Sequence, residues 1–389
     1  MTAPGSSSTP DRALRVAAIL AAAGGAALAL GFLVAPDRAW MNLLLASFAL
    51  VGLGLAGLFF VAFEYVTGAG WSVAFRRVPE AMTALLPAGA LGLAAVFLLH
   101  PSIYPWTAPV AGKIEAVAHF KHWWLSRPFF LLRAAIYLAI WIVLGRAMVR
   151  TSRRQDQDGA LDHTRRNARL SAIFLVLAGF TVWLASYDWI MSLEPDWSST
   201  IFGVYHFAGM FTSGLAVIIL LVIWLSKRGP LHDVVNPAHL QDLGTLLFAF
   251  STFWAYIWFS QYMLIWYANI PEETVYFTRR MHGIWATLFL MNLLLNWAVP
   301  FLALLPRRHK RDPAILGKVA LVVLAGRWLD LYLSIFPPFT PARPLFGVWE
   351  LGALAAVAGG SLLLFHRAFC RASPVPLRDP LLAESVHVH

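Results

Sequence analysis

The chain has 389 residues, of which 59% are hydrophobic and only 13% are charged, and its formal net charge is +10. A typical soluble protein is about 45–50% apolar and about 25% charged, so this composition excludes an ordinary soluble fold and a disordered chain. Cys370 is the single cysteine, which also excludes a disulfide scaffold and a metal cluster held by several thiolates. A polytopic membrane protein is the class that remains.

The chain begins with a polar stretch rich in Ser and Pro, residues 1–12, which we expect to be a disordered lead. Ten apolar runs follow, and each is close to the roughly 20 residues that a helix needs to cross a bilayer. Strands of a membrane barrel are shorter, about 10 residues, and alternate apolar with polar positions. The sequence therefore predicts an all-α polytopic membrane protein whose membrane domain, 13–369, has about ten transmembrane helices, at 13–34, 42–65, 82–99, 128–149, 167–190, 201–226, 243–267, 282–305, 315–336 and 347–369.

Lysine and arginine are distributed unequally over the two sides of these spans. Twenty-one of them lie on the side of the N terminus and seven on the opposite side. Because cytoplasmic loops carry the excess of positive charge, we expect both termini, including a C-terminal tail at 370–389, on the cytoplasmic side of the membrane. Membrane topology then explains the net charge, and no nucleic-acid partner is expected.

Two of the connections have distinctive sequences. The polar linker 150–166 is the longest on the cytoplasmic side. On the outer side, the segment from His119 to Trp124 combines aromatic with cationic residues. We expect this segment to lie along the membrane surface as an interfacial helix.

Charged residues inside the predicted spans need a reason, because placing one in lipid costs at least about 2.5–3.5 kcal/mol. Arg327 and Asp330 are three residues apart and therefore share a face of the ninth span. They form either an internal ion pair or a step in a proton or quinone-linked relay. Arg133 and Tyr137 share a face of the fourth span in the same way. The other candidates at a similar outer depth are Asp188, His206 and Glu350.

Glu64 differs from these candidates, because it ends the second span on the cytoplasmic side. A long polar side chain near a helix end can reach water while its stem stays in lipid, and this snorkelling explains Glu64. Three amides inside the spans are interpreted as residues that hydrogen-bond between helices, namely Gln261, Asn292 and Asn296.

Metal chemistry and soluble catalytic chemistry find little support in the sequence. His206 and His282 are the only pair that a bis-histidine haem site would use, and His282 sits at the predicted interface, so we do not expect haem here. The sequence has no phosphate-binding glycine loop, no HExxH and no paired CxxC motif. No metal site is therefore expected in this chain.

Two longer segments join the outer end of a helix to an outer loop. The first is SYDWIMSLEPDWSSTIFGVYH at 186–206, and the second is WFSQYMLIWYANIPEE at 258–273. Together they resemble the second NrfD-like membrane subunit of alternative complex III, the bacterial quinol:cytochrome c oxidoreductase. This subunit is usually described as quinone-binding subunit 2. The resemblance extends over nearly all ten spans in length and order.

The resemblance implies two four-helix bundles, at 42–190 and 201–336, with one flanking helix on each side. It also implies that haem c and iron–sulfur clusters sit in partner subunits. These partners are a multihaem cytochrome c, an iron–sulfur protein and a sister NrfD-like subunit, all working on the membrane quinone pool. The chain is then expected to support quinol oxidation, and proton translocation with it, as a subunit that is inactive when isolated.

Depth and residue type suggest roles for the candidate residues. Quinol oxidation releases two protons and needs nearby bases, and Asp188 with His206 is the leading pair. A proton path needs titratable groups bridged by water. The residues that suit such a path are Glu64, Tyr137, Arg327 and Asp330. Two rival hypotheses stay open, a secondary transporter and a purely structural scaffold subunit of the same complex.

Overall fold

The computed structural model describes residues 11–108 and 116–387, and within these ranges the chain is built of helices and contains no strand. Most of the predicted disordered lead falls outside the described residues, and helix α1 already begins at Asp11. The helices are α1 (Asp11–Val34), α2 (Pro36–Thr67), α3 (Arg77–Met82), α4 (Leu85–Leu99), α5 (Ala116–Trp124), α6 (Arg127–Asp158), α7 (Leu161–Trp189), α8 (Phe202–Arg228), α9 (Pro237–Ala268), α10 (Pro271–Arg280), α11 (Gly283–Leu293), α12 (Val299–Leu304), α13 (Arg307–Arg311), α14 (Pro313–Ile335), α15 (Val348–Phe369) and α16 (Leu382–Val386). A π-helical turn, Leu294–Ala298, joins α11 to α12.

Nine helical segments in the described part of the chain are long and apolar enough to cross a membrane. The predicted ninth span, α14, differs in composition because its 23 residues include Lys318, Arg327 and Asp330. Its length is nevertheless about 34 Å at 1.5 Å per residue, enough for a bilayer core. Its start follows α13, which packs on the start of α9, and near its end Leu333 O accepts from Arg280 Nε at 2.8 Å. The prediction of an all-α polytopic membrane protein is confirmed.

The helices α1 and α15 run antiparallel and in close contact. A Cβ on Gly24 would meet the backbone of Gly352 and Ala356, and a Cβ on Gly359 would meet the backbone of Ala17. Helix α1 therefore begins and α15 ends at the same end of the molecule, which we call the basic end. The opposite end, where α7 and α9 finish, we call the aromatic end.

The central helices pack as two groups of four. Helices α2, α4, α6 and α7 form one group, the second consists of α8, α9, the α11–α12 segment and α14, and α2 packs on α8 between them. This arrangement agrees with the two expected four-helix bundles. The flanking helices, however, do not lie on opposite sides: α1 and α15 pair with each other and pack together on α2. Their small residues permit this close pairing.

The linker predicted at 150–166 is helical over most of its length. Helix α6 continues to Asp158 and α7 starts at Leu161, so the turn between them has two residues. Gly159 ends α6 in the left-handed conformation, with φ of 72°, which glycine adopts without a steric penalty. Hydropathy detects only the apolar part of a helix, and here polar residues extend both helices beyond that part.

The aromatic end carries two short helices outside the bundles. Residues 119–124, predicted to form an interfacial helix, are helical as part of α5. Helix α10 lies within what the sequence suggested was an outer loop after α9, and the chain enters it through Asn269, whose φ is 50°. Asparagine is one of the few residues that tolerates this left-handed conformation.

The C-terminal tail, as far as residue 387, packs on the basic end of the bundle. Asp379 forms a buried ion pair with Arg76. Ser385 Oγ donates to Trp71 O at 2.6 Å and accepts from Ala74 N at 2.9 Å. These contacts are polar, so the apolar pattern of the sequence gave no sign that the tail is ordered.

Candidate functional site

Asp188, near the end of α7, is enclosed by hydrogen-bond donors from α6 and from α5, the helix before it. Arg133 donates from Nε and Nη2 to the two carboxylate oxygens at 2.9 and 2.8 Å. Tyr137 OH donates to Oδ2 at 3.1 Å, and Trp124 Nε1 donates to Oδ1 at 2.9 Å. We call these four residues the Asp188 network.

The Asp188 network is closed to further ligands. Asp188 is 1% exposed, and a carboxylate has about four acceptor positions, all of which the four donated hydrogen bonds fill. The Arg133 guanidinium also makes cation–π contacts with the rings of Trp124 and Phe129, with Cζ 4.1 and 4.4 Å from the ring centroids. The predicted shared face of Arg133 and Tyr137 is confirmed, and it forms a buried ion-pair anchor between α6 and α7.

Asp330, on α14, is the centre of a similar network in the second bundle. Arg327 Nη1 lies 2.6 Å from its Oδ2, so the predicted ion pair is present. Tyr205 OH and Asn292 Nδ2 both donate to Oδ1, the latter at 2.6 Å. Asn296 Nδ2 in turn donates to Asn292 Oδ1 at 2.7 Å. We call these five residues the Asp330 network.

Arg327 differs from Arg133 in the donors that it keeps free. Its Nε is buried without a hydrogen-bond partner, whereas Nε of Arg133 bonds to Asp188. Gly209 on α8 provides the space for the Arg327 guanidinium, because a Cβ there would lie 1.9 Å from Nη2. The Asp330 network therefore presents a donor that its own members do not satisfy.

A cleft of about 810 Å³ adjoins the Asp330 network, and we call it the lateral cleft. Its floor is formed by α2 and α8, one wall by α1 and α15, and the other wall by α14. It runs from Arg12 at the basic end to His206, one turn into α8, and most of its lining is apolar. Three lining residues, Val16, Leu321 and Leu354, are 49%, 58% and 39% exposed. The cleft therefore opens sideways, toward the lipid phase.

The aromatic end of the lateral cleft has two polar residues, His206 and Arg327. His206 is 4% exposed, and its Nε2 is buried without a hydrogen-bond partner. The rings of Phe48, Phe202 and Tyr205 hold the imidazole edge-on, at centroid distances of 5.6, 4.4 and 5.3 Å. A fixed imidazole with an unsatisfied nitrogen, in the same cleft as an arginine whose Nε is unsatisfied, is suited to bind the polar group of a ligand.

The structure does not pair Asp188 with His206, although both lie toward the aromatic end. The hydrogen bonds of the Asp188 carboxylate go to its own network. His206 contacts Phe48, which in turn contacts Trp189, the residue after Asp188. The two side chains therefore have separate surroundings, and depth alone could not reveal this. His206 instead shares the lateral cleft with Arg327.

Glu350 and Glu64 belong to neither network. Glu350 accepts from Arg38 Nε at 2.6 Å and from Asn42 Nδ2 at 3.0 Å, which ties the start of α15 to the start of α2. Glu64 is 8% exposed and accepts from Ser72 Oγ at 2.6 Å. The prediction that Glu64 reaches water by snorkelling is therefore wrong, because the protein itself supplies its hydrogen bond.

The four residues considered for a proton path occupy three separate places. Glu64 is at the basic end, Tyr137 belongs to the Asp188 network, and Arg327 with Asp330 lies in the second bundle. Within the described ranges, the hydrogen bonds of these side chains stay inside their own places. Of the four residues, Arg327 and Asp330 lie together in one site, and Glu64 and Tyr137 each lie elsewhere.

A further buried ion pair at the aromatic end was also missed by sequence reasoning. Glu194, which is 9% exposed, binds Arg280 Nη2 at 2.7 Å and Arg279 Nη1 at 2.5 Å. Arg280 stacks on Tyr276, with Cζ 3.4 Å from the ring centroid. Burial raises the pKa of Tyr276 to about 12, although the charge of Arg280 acts in the opposite direction. The sequence did hold a hint of this ion pair. Glu194 lies inside the 186–206 segment, and the two arginines lie just beyond the 258–273 segment.

Comparison with protein-family models and with curated proteins finds no match for this chain. Among the described residues, no group of three or more His, Cys, Asp or Glu side chains is placed to hold a metal ion.

Proposed function

We propose that the chain is a membrane subunit of a quinol:cytochrome c oxidoreductase of the alternative complex III type, and that its lateral cleft holds a quinone or quinol. One observation carries the proposal. The cleft is a long apolar groove, open to lipid, with two incompletely bonded polar side chains at one end. An isoprenoid quinone has a matching form, since its ring carries two oxygens and its tail is long and apolar.

The proposal gives His206 and Arg327 separate roles. Arg327 Nε donates to one ring oxygen. His206 Nε2 donates to a quinone oxygen or accepts from a quinol hydroxyl, according to its tautomer. Quinol oxidation releases two protons and two electrons, and His206 is the group placed to accept one of these protons. The electrons pass to haem or iron–sulfur centres in partner subunits.

The two networks support different parts of this proposal. The Asp330 network holds Arg327 at the cleft, so Asp330 acts as a positioning residue. The Asp188 network is filled by its own donors, which favours the scaffold role for the first bundle. A scaffold function for the whole chain remains the second candidate, and it predicts that the cleft residues are dispensable for turnover.

The resemblance of the two outer segments supports the proposed partners. These are a sister NrfD-like subunit, a multihaem cytochrome c and an iron–sulfur protein, which supply the electron carriers. We place the complex in a bacterial inner membrane with the basic end in the cytoplasm, because 21 of the Lys and Arg residues are at that end and 7 are at the other. The chain alone is expected to be inactive.

The substitution His206→Leu in the intact complex tests the proposal. Loss of one hydrogen bond to the ring should raise KM for quinol about fivefold to tenfold and lower the quinone that copurifies. Steady-state reduction of the cytochrome acceptor and quinone extraction measure the two effects.

The matched control is Ser213→Ala. Ser213 lines the same cleft, but its hydroxyl already donates to Gly209 O and Met210 O on its own helix, at 3.0 and 2.8 Å. The control should therefore leave KM and quinone content unchanged. An assembled His206→Leu complex with normal KM and normal quinone content would contradict the proposal and select the scaffold.

A further inference from the structure

A second cavity, of about 370 Å³, lies at the aromatic end, and we call it the outer pocket. One side is formed by the end of α7 and the loop after it, and the other side by the last turns of α9 and the first turn of α10. These are the parts that the 186–206 and 258–273 segments contribute. No residue lines both the outer pocket and the lateral cleft, so the two are separate sites.

The inner part of the outer pocket contains an unsatisfied amide. Gln261 is 3% exposed, and its Nε2 is buried without a hydrogen-bond partner. It lies seven residues before the end of α9, which is roughly 10 Å below that end. A fully buried amide donor is almost always paired in folded proteins, so this position calls for an acceptor from a ligand.

The outer part of the pocket has acceptors and hydroxyls but no fixed positive charge. The Glu273 carboxylate forms no ion pair within the described residues, although Glu194 nearby binds two arginines. Ser198, Ser199 and Thr200 add three hydroxyl groups at the rim. Among the described residues, neither lysine nor arginine lines the pocket. This environment favours a cation and disfavours a net anion.

The outer pocket also opens toward lipid. Leu264 lines it and is 60% exposed on the outer face of α9. The pocket therefore combines a carboxylate and hydroxyls in its outer part with an amide donor deeper in and an apolar exit beside Leu264. A phospholipid with a primary amine carries the matching groups, namely an ammonium, a phosphate, ester carbonyls and acyl chains.

We propose that the outer pocket binds the headgroup of a phosphatidylethanolamine-type lipid from the leaflet at the aromatic end. The ammonium lies on Glu273, the hydroxyls of residues 198–200 donate to the phosphate, and Gln261 donates to an ester carbonyl. The acyl chains leave beside Leu264. A primary ammonium donates hydrogen bonds to a carboxylate, whereas the quaternary ammonium of a choline lipid does not, and an anionic glycerol lipid is repelled by Glu273. This proposal is independent of quinone binding in the lateral cleft.

Native mass spectrometry of the full chain tests the proposal by titration with dioleoyl phosphatidylethanolamine. The wild-type chain should bind one molecule at least about tenfold more tightly than it binds the matching choline lipid or the glycerol lipid. Glu273→Gln should remove most of this preference, because it removes a charge-assisted hydrogen bond. Gln261→Leu should weaken binding of all three lipids, since the ester carbonyl is common to them.

The matched control is Glu272→Gln, which changes the same charge in the same first turn of α10 but at a position outside the pocket. It should leave the preference intact. Glycerophosphoethanolamine, the headgroup without its chains, should bind far more weakly than the lipid. Equal binding of the three lipids by the wild-type chain, equal effects of the two glutamate variants, or headgroup binding as tight as lipid binding would each overturn the proposal.

Discussion

The two bundles contain the same kind of buried pair, an arginine with an aspartate near the aromatic end, but they use it differently. In the Asp188 network, the Arg133 and Asp188 groups satisfy each other with the help of Tyr137 and Trp124. In the Asp330 network, Nε of Arg327 is buried without a partner, and Arg327 lines the lateral cleft. A closed network anchors helices, whereas an open one is available for a ligand.

The contrast depends on one small residue. Gly209 lets the Arg327 guanidinium lie against α8, beside His206 and the cleft. Arg133 is instead covered by Trp124 and Phe129. The surroundings of each ion pair, rather than its composition, decide whether it has a structural or a functional role.

The largest expected effect comes from removing either aspartate. Leaving one partner of a buried ion pair alone costs about 3–5 kcal/mol. We expect Asp188→Leu to be at the upper end of this range, because Arg133 is then sealed among aromatic rings. Asp330→Leu should cost less, because Arg327 lines the lateral cleft, whose space can admit a water or ligand that hydrogen-bonds to it. The midpoint of thermal unfolding in detergent measures both.

Asp37→Asn is the control for these variants, since the side chain of Asp37 is 89% exposed and its 3.6 Å contact with His100 Nε2 is a surface pair worth little, so the midpoint should stay nearly unchanged. If Asp330→Leu destabilised the protein as much as Asp188→Leu or more, the distinction between a closed and an open network would be lost.

A smaller effect is expected from Gly209→Ala. The new methyl group would meet the Arg327 guanidinium and force it to move, at a cost of about 1–3 kcal/mol for overpacking. Gly52→Ala is the matched control, because Gly52 lines the same cleft and its Cβ would meet only Met210 Cγ, at 3.4 Å. Thermal stability and quinone content should both change in the first variant, and neither should change in the second. Normal quinone content in Gly209→Ala would mean that the position of Arg327 does not matter.

The smallest effect on stability is expected for His206→Leu. The substitution removes a buried nitrogen that has no partner, so the free energy of unfolding should change by less than about 0.5 kcal/mol. Loss of quinone without loss of stability would separate ligand binding from scaffolding. A fall of more than about 2 kcal/mol would assign His206 a structural role instead.

Much of the fold could be predicted from the sequence, because an apolar run of bilayer length rarely forms anything except a membrane-spanning helix. The long apolar helices and the i, i+3 pairing of Arg327 with Asp330 follow from length and helical periodicity alone. The extended helices around Gly159 and the packed C-terminal tail could not be predicted, since their contacts are polar. The pairing of α1 with α15 is a contact between distant parts of the chain, and a single sequence gives no register for it.

The candidate site was predictable only in part. Depth along each span correctly placed Asp188, His206 and Asp330 toward one end of the bundle. Depth does not show which way a side chain faces around its helix, so the suggested pair of Asp188 with His206 was not found. The lateral cleft exists because the α1–α15 pair stands away from α14, and no local pattern encodes that gap.

The most direct test of quinone binding in the lateral cleft is photo-crosslinking of the intact complex with a quinone that carries a photoreactive group on its ring. Mass spectrometry of the digested chain then locates the label. The account predicts a label on α8 or α14, close to His206 and Arg327, that excess unmodified quinol displaces. A label confined to a partner subunit, or to residues around Asp188, would contradict it.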